Sequence, residues 1–562
     1  MMSDILLPPG LILILIGLLL PLLKDTWRSL ALVVGPLVVL ASVWSMPNGN
    51  VVELSYLGYE LVLVRADELS RLFATVFSLM AAAGGLYAIS QSKTRELSAA
   101  FVYAGSAISV VFAGDLITVF IFWEIMAIAS TIVVWSGGAG AKAAGQRYAV
   151  VHFLGGVLLM AGIAGEVSTT GSIAFDVMEA NSWSRWLILG GFLINAGAPP
   201  FSAWLPDAYP EASWSGTVFL SAFTTKTAVY VLMRTFPGTE ILIYIGLYMV
   251  FYGIVYAILE NDMRRILAYS IINQVGFMIV GIGIGSEMSL NGAAAHAFVH
   301  IIYKALLLMS AGAVLYQTGK HKCTDLGGLF RTMPITMICG TIGALAISAF
   351  PFTSGFVAKS VISQGAADAH LGFVWYLLAA ASAGVFLHAG IKFPWFVFFQ
   401  KDSGMRPSEP PRTMIWSMVL LSAACILIGV FPDVLYSLLP HQVDYVPYTG
   451  AHIVFQLQLL LFSGLAFFVL LPMLKRTLTI TLDFDWFYRS FGKAVARIFD
   501  GVTASLWANL VGLCTGLSKS VVNLILRLHG PKGVFSETWS TGVMAFWTTV
   551  LLGLNLLVYF TW

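Results

Sequence analysis

HAFVHIIYKALLLMSAGAVL, residues 296–315, spaces His296, His300 and Lys304 four residues apart inside an otherwise apolar run. Side chains at that spacing share one face of an α-helix. The residues around them are hydrophobic enough for lipid, so the run predicts a membrane helix carrying a titratable stripe.

The rest of the chain has the same character. Of 562 residues, 58% are hydrophobic and 10% charged, and the mean hydropathy is +0.86. Soluble domains keep charged residues near a quarter of the chain. Runs able to cross roughly 30 Å of hydrocarbon recur throughout. They begin with LLPPGLILILIGLLLPLL (6–23), which follows Asp4 without a basic stretch or cleavage site and reads as a retained first span. The expected fold is an all-α polytopic membrane protein of about 14 to 16 spans. The net charge of +2 says little by itself; a nucleic-acid footprint needs clustered Lys and Arg, and no nucleic-acid partner is expected. Cys323, Cys339, Cys425 and Cys514 are scattered, so neither a structural zinc nor an iron–sulfur site is expected.

Cations accumulate on one side of the expected loops: Lys93 and Arg95, Lys142 and Arg147, Arg264 and Arg265, Lys320, Lys322 and Arg331, then Lys401, Arg406 and Arg412. The other loops hold little beyond Arg65, Arg71 and Arg234, beside acids such as Glu53, Asp176 and Asp444. The positive-inside tendency then places the N-terminus outside a bacterial plasma membrane.

An internal repeat runs at an offset of about 150 residues. FLGGVLLMAG (153–162) aligns with YKALLLMSAG (303–312), and APPFS (198–202) with AFPFT (349–353). Glu124 then falls opposite Gln274. Each copy holds about five spans, and an odd number inverts the second copy relative to the first. The expected organisation is N-terminal helices with a hairpin-like loop (1–96), a first repeat (97–236), a second repeat (237–400), C-terminal helices (401–480), and a lateral amphipathic helix with a last span (481–562). Pro199 and Pro200 interrupt the first copy; Pro351, with Gly355 close behind, interrupts the second. Proline removes a backbone donor, and in lipid the freed carbonyls must find protein or water. Broken helices at matching positions point to a hydrated path near mid-depth.

A charge at the bilayer centre costs about 2.5 to 3.5 kcal/mol on insertion scales, so each one needs a reason. The candidates are Glu124, Lys226, His296, His300, Lys304 and Lys359, with His152, His388 and Lys392 as further members. For His152 alone, packing with a hydrogen bond is the favoured reading, and Lys392 could snorkel to its span end. The four residues Glu124, Lys226, Lys304 and Lys359 burden four separate spans, which favours a proton pathway. A carboxylate approaching a lysine holds its proton, and withdrawal releases it; histidines relay between such groups. HxxxH at 296 and 300 lacks a third metal ligand, and no metal or haem is expected.

At these residues the chain resembles the antiporter-like subunits shared by Mrp-type multisubunit cation/proton antiporters and respiratory complex I. The likeness runs from about residue 65 to 400, through DLITVFIFWEIMA (115–127), PPFSAWLPDAY (199–209), NDMRRILAYSIINQVGF (261–277), HAFVHIIYKALLLMSAGA (296–313), DLGGL (325–329) and FPFTSGFVAKS (350–360). The Mrp D subunit is the nearest likeness, supported by the lysine in FTTKTAVYVLMR (223–234). The resemblance implies that Glu124 serves the first half-channel, Lys226 connects, His300 and Lys304 form the central relay, and Lys359 is the terminal lysine. It also implies a secondary transporter rather than an enzyme, needing no cofactor. It would exchange protons for a monovalent cation, taken as Na+, among partner subunits in the lipid bilayer. The alternatives are a proton-pumping subunit of a complex I-like oxidoreductase and a non-conducting structural subunit. One position departs from the family pattern: where a lysine usually stands five residues before the proline of the first broken helix, this chain has Asn195. Either Lys226 takes over as partner of Glu124, or the first half-channel conducts weakly or carries a cation instead. The tail from Leu482 resembles, more loosely, the lateral helix of the longest complex I antiporter-like subunit.

Overall fold

The computed structural model describes residues 7–56, 58–472, 483–530, 533 and 539–561. The first residues of the expected span 5–23 and the expected boundary at 480/481 lie outside them. The chain opens with α1 (Pro9–Leu19) and α2 (Asp25–Ser45), then an antiparallel hairpin of β1 (Gly49–Tyr56) and β2 (Tyr59–Ala66). Next come α3 (Glu68–Tyr87), α4 (Thr94–Phe112), α5 (Leu116–Trp135), α6 (Ala141–Thr170), α7 (Trp183–Ala196), α8 (Trp204–Ala208), α9 (Gly216–Ala222) and α10 (Thr224–Thr235). These are followed by α11 (Ile241–Leu259), α12 (Met263–Ile284), α13 (Glu287–Thr318), α14 (Pro334–Ile347), α15 (Ser354–Asp368) and α16 (Gly372–Val385). Two wide helical turns continue α16 through Phe386–Lys392 and Trp395–Phe399. The remaining helices are α17 (Arg412–Val430), α18 (Asp433–Tyr436), α19 (Gly450–Val469), α20 (Gly492–His529) and α21 (Thr541–Thr561). Among the described residues, 14 helical stretches are long and apolar enough to cross a membrane.

Two faces follow from contacts between chain-distant residues. On the hairpin face, the Val62 amide donates to Asp115 at 2.8 Å, Arg65 pairs with Asp176 at 2.8 Å, and Arg234 pairs with Asp67 at 2.6 Å. On the opposite face, Lys93 donates to the Ser136 carbonyl at 2.5 Å, Arg264 reaches the Ala212 carbonyl at 2.8 Å, and Arg331 pairs with Asp402 at 3.3 Å. The cation-rich loops gather on this second face. The hairpin face's few arginines are mostly tied to acids.

The expected breaks are present. The 332–366 run is two helices: α14 ends at Ile347 and α15 begins at Ser354, as α7 ends at Ala196 and α8 begins at Trp204. A Cβ at Gly355 would collide with the Ala346 carbonyl, so glycine lets the first turn of α15 close on the end of α14. Ala349 (φ 56°) and Phe352 (φ 66°) hold left-handed backbone in this break. Such strain costs of order 1–3 kcal/mol per residue and collects at functional sites. α4 starts on the cation-rich face and α11 on the hairpin face, so the second set of spans is inverted relative to the first.

α13 is the central helix. Every residue from Asn291 to Val314 is buried, consistent with a sequence apolar on all sides. Ser286 caps its start by accepting from the Ser289 amide at 3.2 Å, and Gly319 at φ 66° ends it. The second unit, Trp486–Trp562, holds α20 and α21. Helical structure continues over Arg489–His529, 41 residues, or about 60 Å at 1.5 Å per residue. That is twice a bilayer's hydrocarbon thickness.

Asp262 ties the start of α12 to the exit of α13. Its carboxylate accepts from the amides of Arg264 at 2.8 Å and Arg265 at 3.3 Å, and lies 2.5 Å from His321 Nδ1. Burial alone would raise the Asp262 carboxyl, but the His321 hydrogen bond and the Arg264 charge outweigh it and hold it below its usual 3.8. The Asp262 hydrogen bond lifts His321 above its usual 6.5, against burial. The His321 contribution is therefore fully present below pH 6.5 and is lost as pH rises through its raised value. The Asp262 contribution is present above pH 3.8 and is lost as pH falls through its lowered value. His321→Ala should accordingly lower thermal stability most near about pH 6, with the deficit shrinking toward about pH 9. Fluorescence-detected size exclusion across that range checks this; a deficit that grows with pH contradicts it.

Candidate functional site

The site begins with lysines inside apolar helices. Lys226 is fully buried on α10, three residues past the irregular Phe223 that separates α9 from α10. Its Nζ donates to the Ser221 carbonyl at 2.7 Å and to Thr225 Oγ1 at 3.0 Å. Lys359, on α15, donates to the carbonyl of Ile347, the last residue of α14, at 2.7 Å. Lys304, on α13, donates to the Leu267 carbonyl of α12 at 3.3 Å. Lys392 reaches the carbonyls of Ala257, Ile258 and Glu260 where α11 ends. The last carbonyls of a helix have no partner within it and carry the negative end of the helix dipole, which suits an ammonium.

The imidazoles lie between these groups. His296 Nε2 is 3.1 Å from Gln274 Oε1 and 2.9 Å from the Tyr303 hydroxyl, which donates to the same Oε1 at 3.1 Å. The His296 and His300 rings lie 6.1 Å apart, and His300 faces Tyr303 at 5.3 Å. Both nitrogens of His300 are buried without a hydrogen-bond partner among the described residues. Lys359 Nζ sits 5.0 Å above the Phe277 ring, whose other neighbour is His296 at 6.0 Å. Lys226 and Lys359 are both within electrostatic reach of His296, His300 and Lys304. His388 Nδ1 pairs with the Gly384 carbonyl at 2.9 Å, while its ring stays within reach of Lys304, Lys359 and Lys392. Among the described residues, no carboxylate forms an ion pair with Lys226, Lys304, Lys359 or Lys392.

Glu124 is not brought to Lys226. It is half-buried on α5 against α6, with Oε1 buried and without a hydrogen-bond partner among the described residues. α6 meets it with Gly156, where a Cβ would collide with the carboxylate. His152, one turn earlier on α6, packs against Tyr148 at 4.0 Å and Trp204 at 4.5 Å. It lies beside Asn195, and no ring nitrogen or amide atom of the two reaches hydrogen-bond geometry among the described residues. The first half thus holds Glu124, His152 and Asn195 around α6, apart from Lys226.

Lys359 lines a cavity of about 390 Å³ with Ser360, Tyr445, His452 and Gln456. Its rim includes Val446 and Thr449, from the chain just before α19 and beyond His441, whose carbonyl bonds Asn291 on the hairpin face. His452 and Gln456 went unmarked in the sequence because they lie past the motif-bearing stretch. A polar pair four residues apart on an apolar span was the available signal.

Residues 113–386 match the transmembrane family model described as NADH:quinone oxidoreductase/Mrp antiporter. The chain is 31% identical over 339 residues to the D subunit of a Na(+)/H(+) antiporter of Alkalihalophilus pseudofirmus, covering 56% of this chain and 68% of the relative. It is 29% identical over 400 residues to the A/B subunit of a probable K(+)/H(+) antiporter of Rhizobium meliloti, covering 66% of this chain but 40% of that relative. A chain in the solved Mrp complex from Dietzia sp. has the same fold, with a TM-score of 0.77 at 22% identity, over 92% of this chain and 62% of that one.

Gly156→Ala should destabilise the protein by about 1–3 kcal/mol, the range for overpacking a tight contact. Adding Glu124→Ala should recover most of that loss, because the carboxylate is what the new methyl meets. Thermal unfolding of the two single variants and the double variant forms the cycle, and strict additivity would show that Glu124 is not the obstacle.

Proposed function

Because the chain belongs to the NADH:quinone oxidoreductase/Mrp antiporter transmembrane family, we propose that it is a proton-conducting subunit of a multisubunit monovalent cation/proton antiporter. It works in a bacterial plasma membrane with its cation-rich face in the cytoplasm and its N-terminus outside. The carrying observation is the set of buried bases, Lys226, His296, His300, Lys304 and Lys359, in mutual electrostatic reach with no carboxylate ion-paired to the lysines among the described residues. Structural burial of a lysine is served by one hydrogen-bonded counter-charge. Several like groups without one are served by sharing fewer protons than sites, which is the condition for moving a proton along the line.

In this reading Lys226 receives a proton, His296, His300 and Lys304 relay it, and Lys359 releases it into the cavity shared with His452. Glu124 is a proton acceptor of the first half beside His152 and Asn195. Each charge moved is coupled to about 2.3 kcal/mol per 100 mV of membrane potential. Na+ is the proposed counter-ion on the strength of the 31% identical relative, whose name carries Na(+)/H(+). The family description also joins these subunits to NADH:quinone oxidoreductases. A complex I-like proton pump is therefore the second reading, and redox subunits co-purifying with the chain would favour it.

In proteoliposomes holding the whole complex, Lys304→Ala and Lys226→Ala should each cut cation-dependent proton flux by about a hundredfold, the usual scale for a positioned proton-transfer group. Co-purification of partner subunits controls for assembly. Wild-type flux in both assembled variants would leave only a structural role for the chain.

A further inference from the structure

We infer that Glu96, a carboxylate buried under the cation-rich face, loads protons onto Lys226 through the Tyr103 and Thr224 hydroxyls, bypassing Glu124. This rests on the proton-conducting reading above and supplies its missing inlet. Lys226 needs a donor on that face. Glu124 packs against Gly156 on α6, and Asn195, which lies against the neighbouring Gly155, has no titratable proton.

Glu96 is 1% exposed in the first turn of α4 and has no ion-paired cation among the described residues; Lys93, the nearest charge, donates to the Ser136 carbonyl. Its Oε1 accepts from Ser213 Oγ at 2.5 Å, Ser215 Oγ at 2.7 Å and Gln91 Nε2 at 3.3 Å. Its Oε2 is buried with no hydrogen-bond partner among the described residues. Three donors hold one oxygen in place and leave the other free to take a proton. A buried carboxylate fastened only for packing would have both oxygens satisfied.

The way inward follows the α4 helix. Tyr103 lies seven residues after Glu96, two turns and about 10 Å along the same face. Only Ala99 and Ala100 stand between them on that face, and the proposed path crosses this stretch through water. The Tyr103 hydroxyl lies 2.6 Å from Thr224 Oγ1 and accepts from the Thr224 amide at 2.8 Å. Thr225, next in the chain, meets Lys226 Nζ at 3.0 Å. On the facing side, Thr217 repeats the seven-residue spacing to Thr224 and accepts from Arg264 at 3.0 Å, so that wall carries one hydroxyl near the face and another beside Tyr103. A hydroxyl donates and accepts at once, as a proton relay requires.

The test is cation-dependent proton flux in proteoliposomes of the intact complex, with assembly checked by co-purification. Glu96→Gln keeps the size of the side chain but cannot carry the proton. It and Tyr103→Phe should each lose at least about tenfold in flux, within the usual reach of a proton-transfer group. Glu96→Asp should restore at least half of the wild-type rate. If Lys304→Ala is inactive while Glu96→Gln or Tyr103→Phe stays within twofold of wild type, this inlet is wrong and the conducting role stands. If Lys304→Ala is itself as active as wild type, the conducting role fails and the inlet with it. Should Glu96→Gln fail to assemble, the Tyr103→Phe flux decides alone.

Discussion

A lysine ammonium inside a hydrocarbon layer must find oxygen, and here it finds backbone oxygen. Lys226 takes the Ser221 carbonyl at the α9/α10 interruption, Lys359 takes the Ile347 carbonyl at the end of α14, and Lys392 takes the carbonyls that close α11. A continuous helix has few carbonyls to spare, because each is already bonded four residues on. Broken helices and buried lysines therefore need each other. The interruption would be costly in lipid without a donor, and the lysine would be costly without an acceptor that is not itself a full charge.

That choice of acceptor matters for function. A carboxylate at ion-pair distance would fix the proton on the lysine; a carbonyl stabilises the ammonium without locking it. The bases along α13 share this condition, since His300 has no hydrogen-bond partner among the described residues and His296 shares a single Gln274 oxygen with Tyr303. The two halves of the molecule are consequently unequal. In the second half His296, His300 and Lys304 share a face of α13, and Phe277 lies between His296 and Lys359, which lines the cavity. The first half has Asn195 where the resemblance leads one to expect a lysine, and its one mid-span glutamate leans on a glycine of the neighbouring helix.

Strain is distributed in the same sense. The second break holds Ala349 and Phe352 in left-handed backbone, and Phe352 stacks on Tyr448 at 5.4 Å in the segment preceding α19. The first break is fastened instead by Arg147 of α6, which pairs with Asp207 of α8 through two bonds of 2.6 and 2.8 Å. One break is held by packing, the other by charge on the cation-rich face.

The spans, the two breaks and the stripe on α13 were legible in the sequence, because hydropathy, proline and a four-residue spacing act within a single helix. The side distribution of Lys and Arg was legible for the same reason: each loop carries its own charge. What partners what was decided by the tertiary structure alone. Glu124 and Lys226 look equally available to one another along the chain, yet α5 turns the glutamate onto Gly156 while α10 turns the lysine onto α9. Glu96 reads as a loop-flanking surface acid in KTRELS and is buried under three donors. His452 lies beyond the motif-bearing stretch and meets Lys359 across a cavity. Periodicity gives the face of a helix, but which neighbour that face meets depends on rotation and register between helices, and those are set by close packing over the whole bundle.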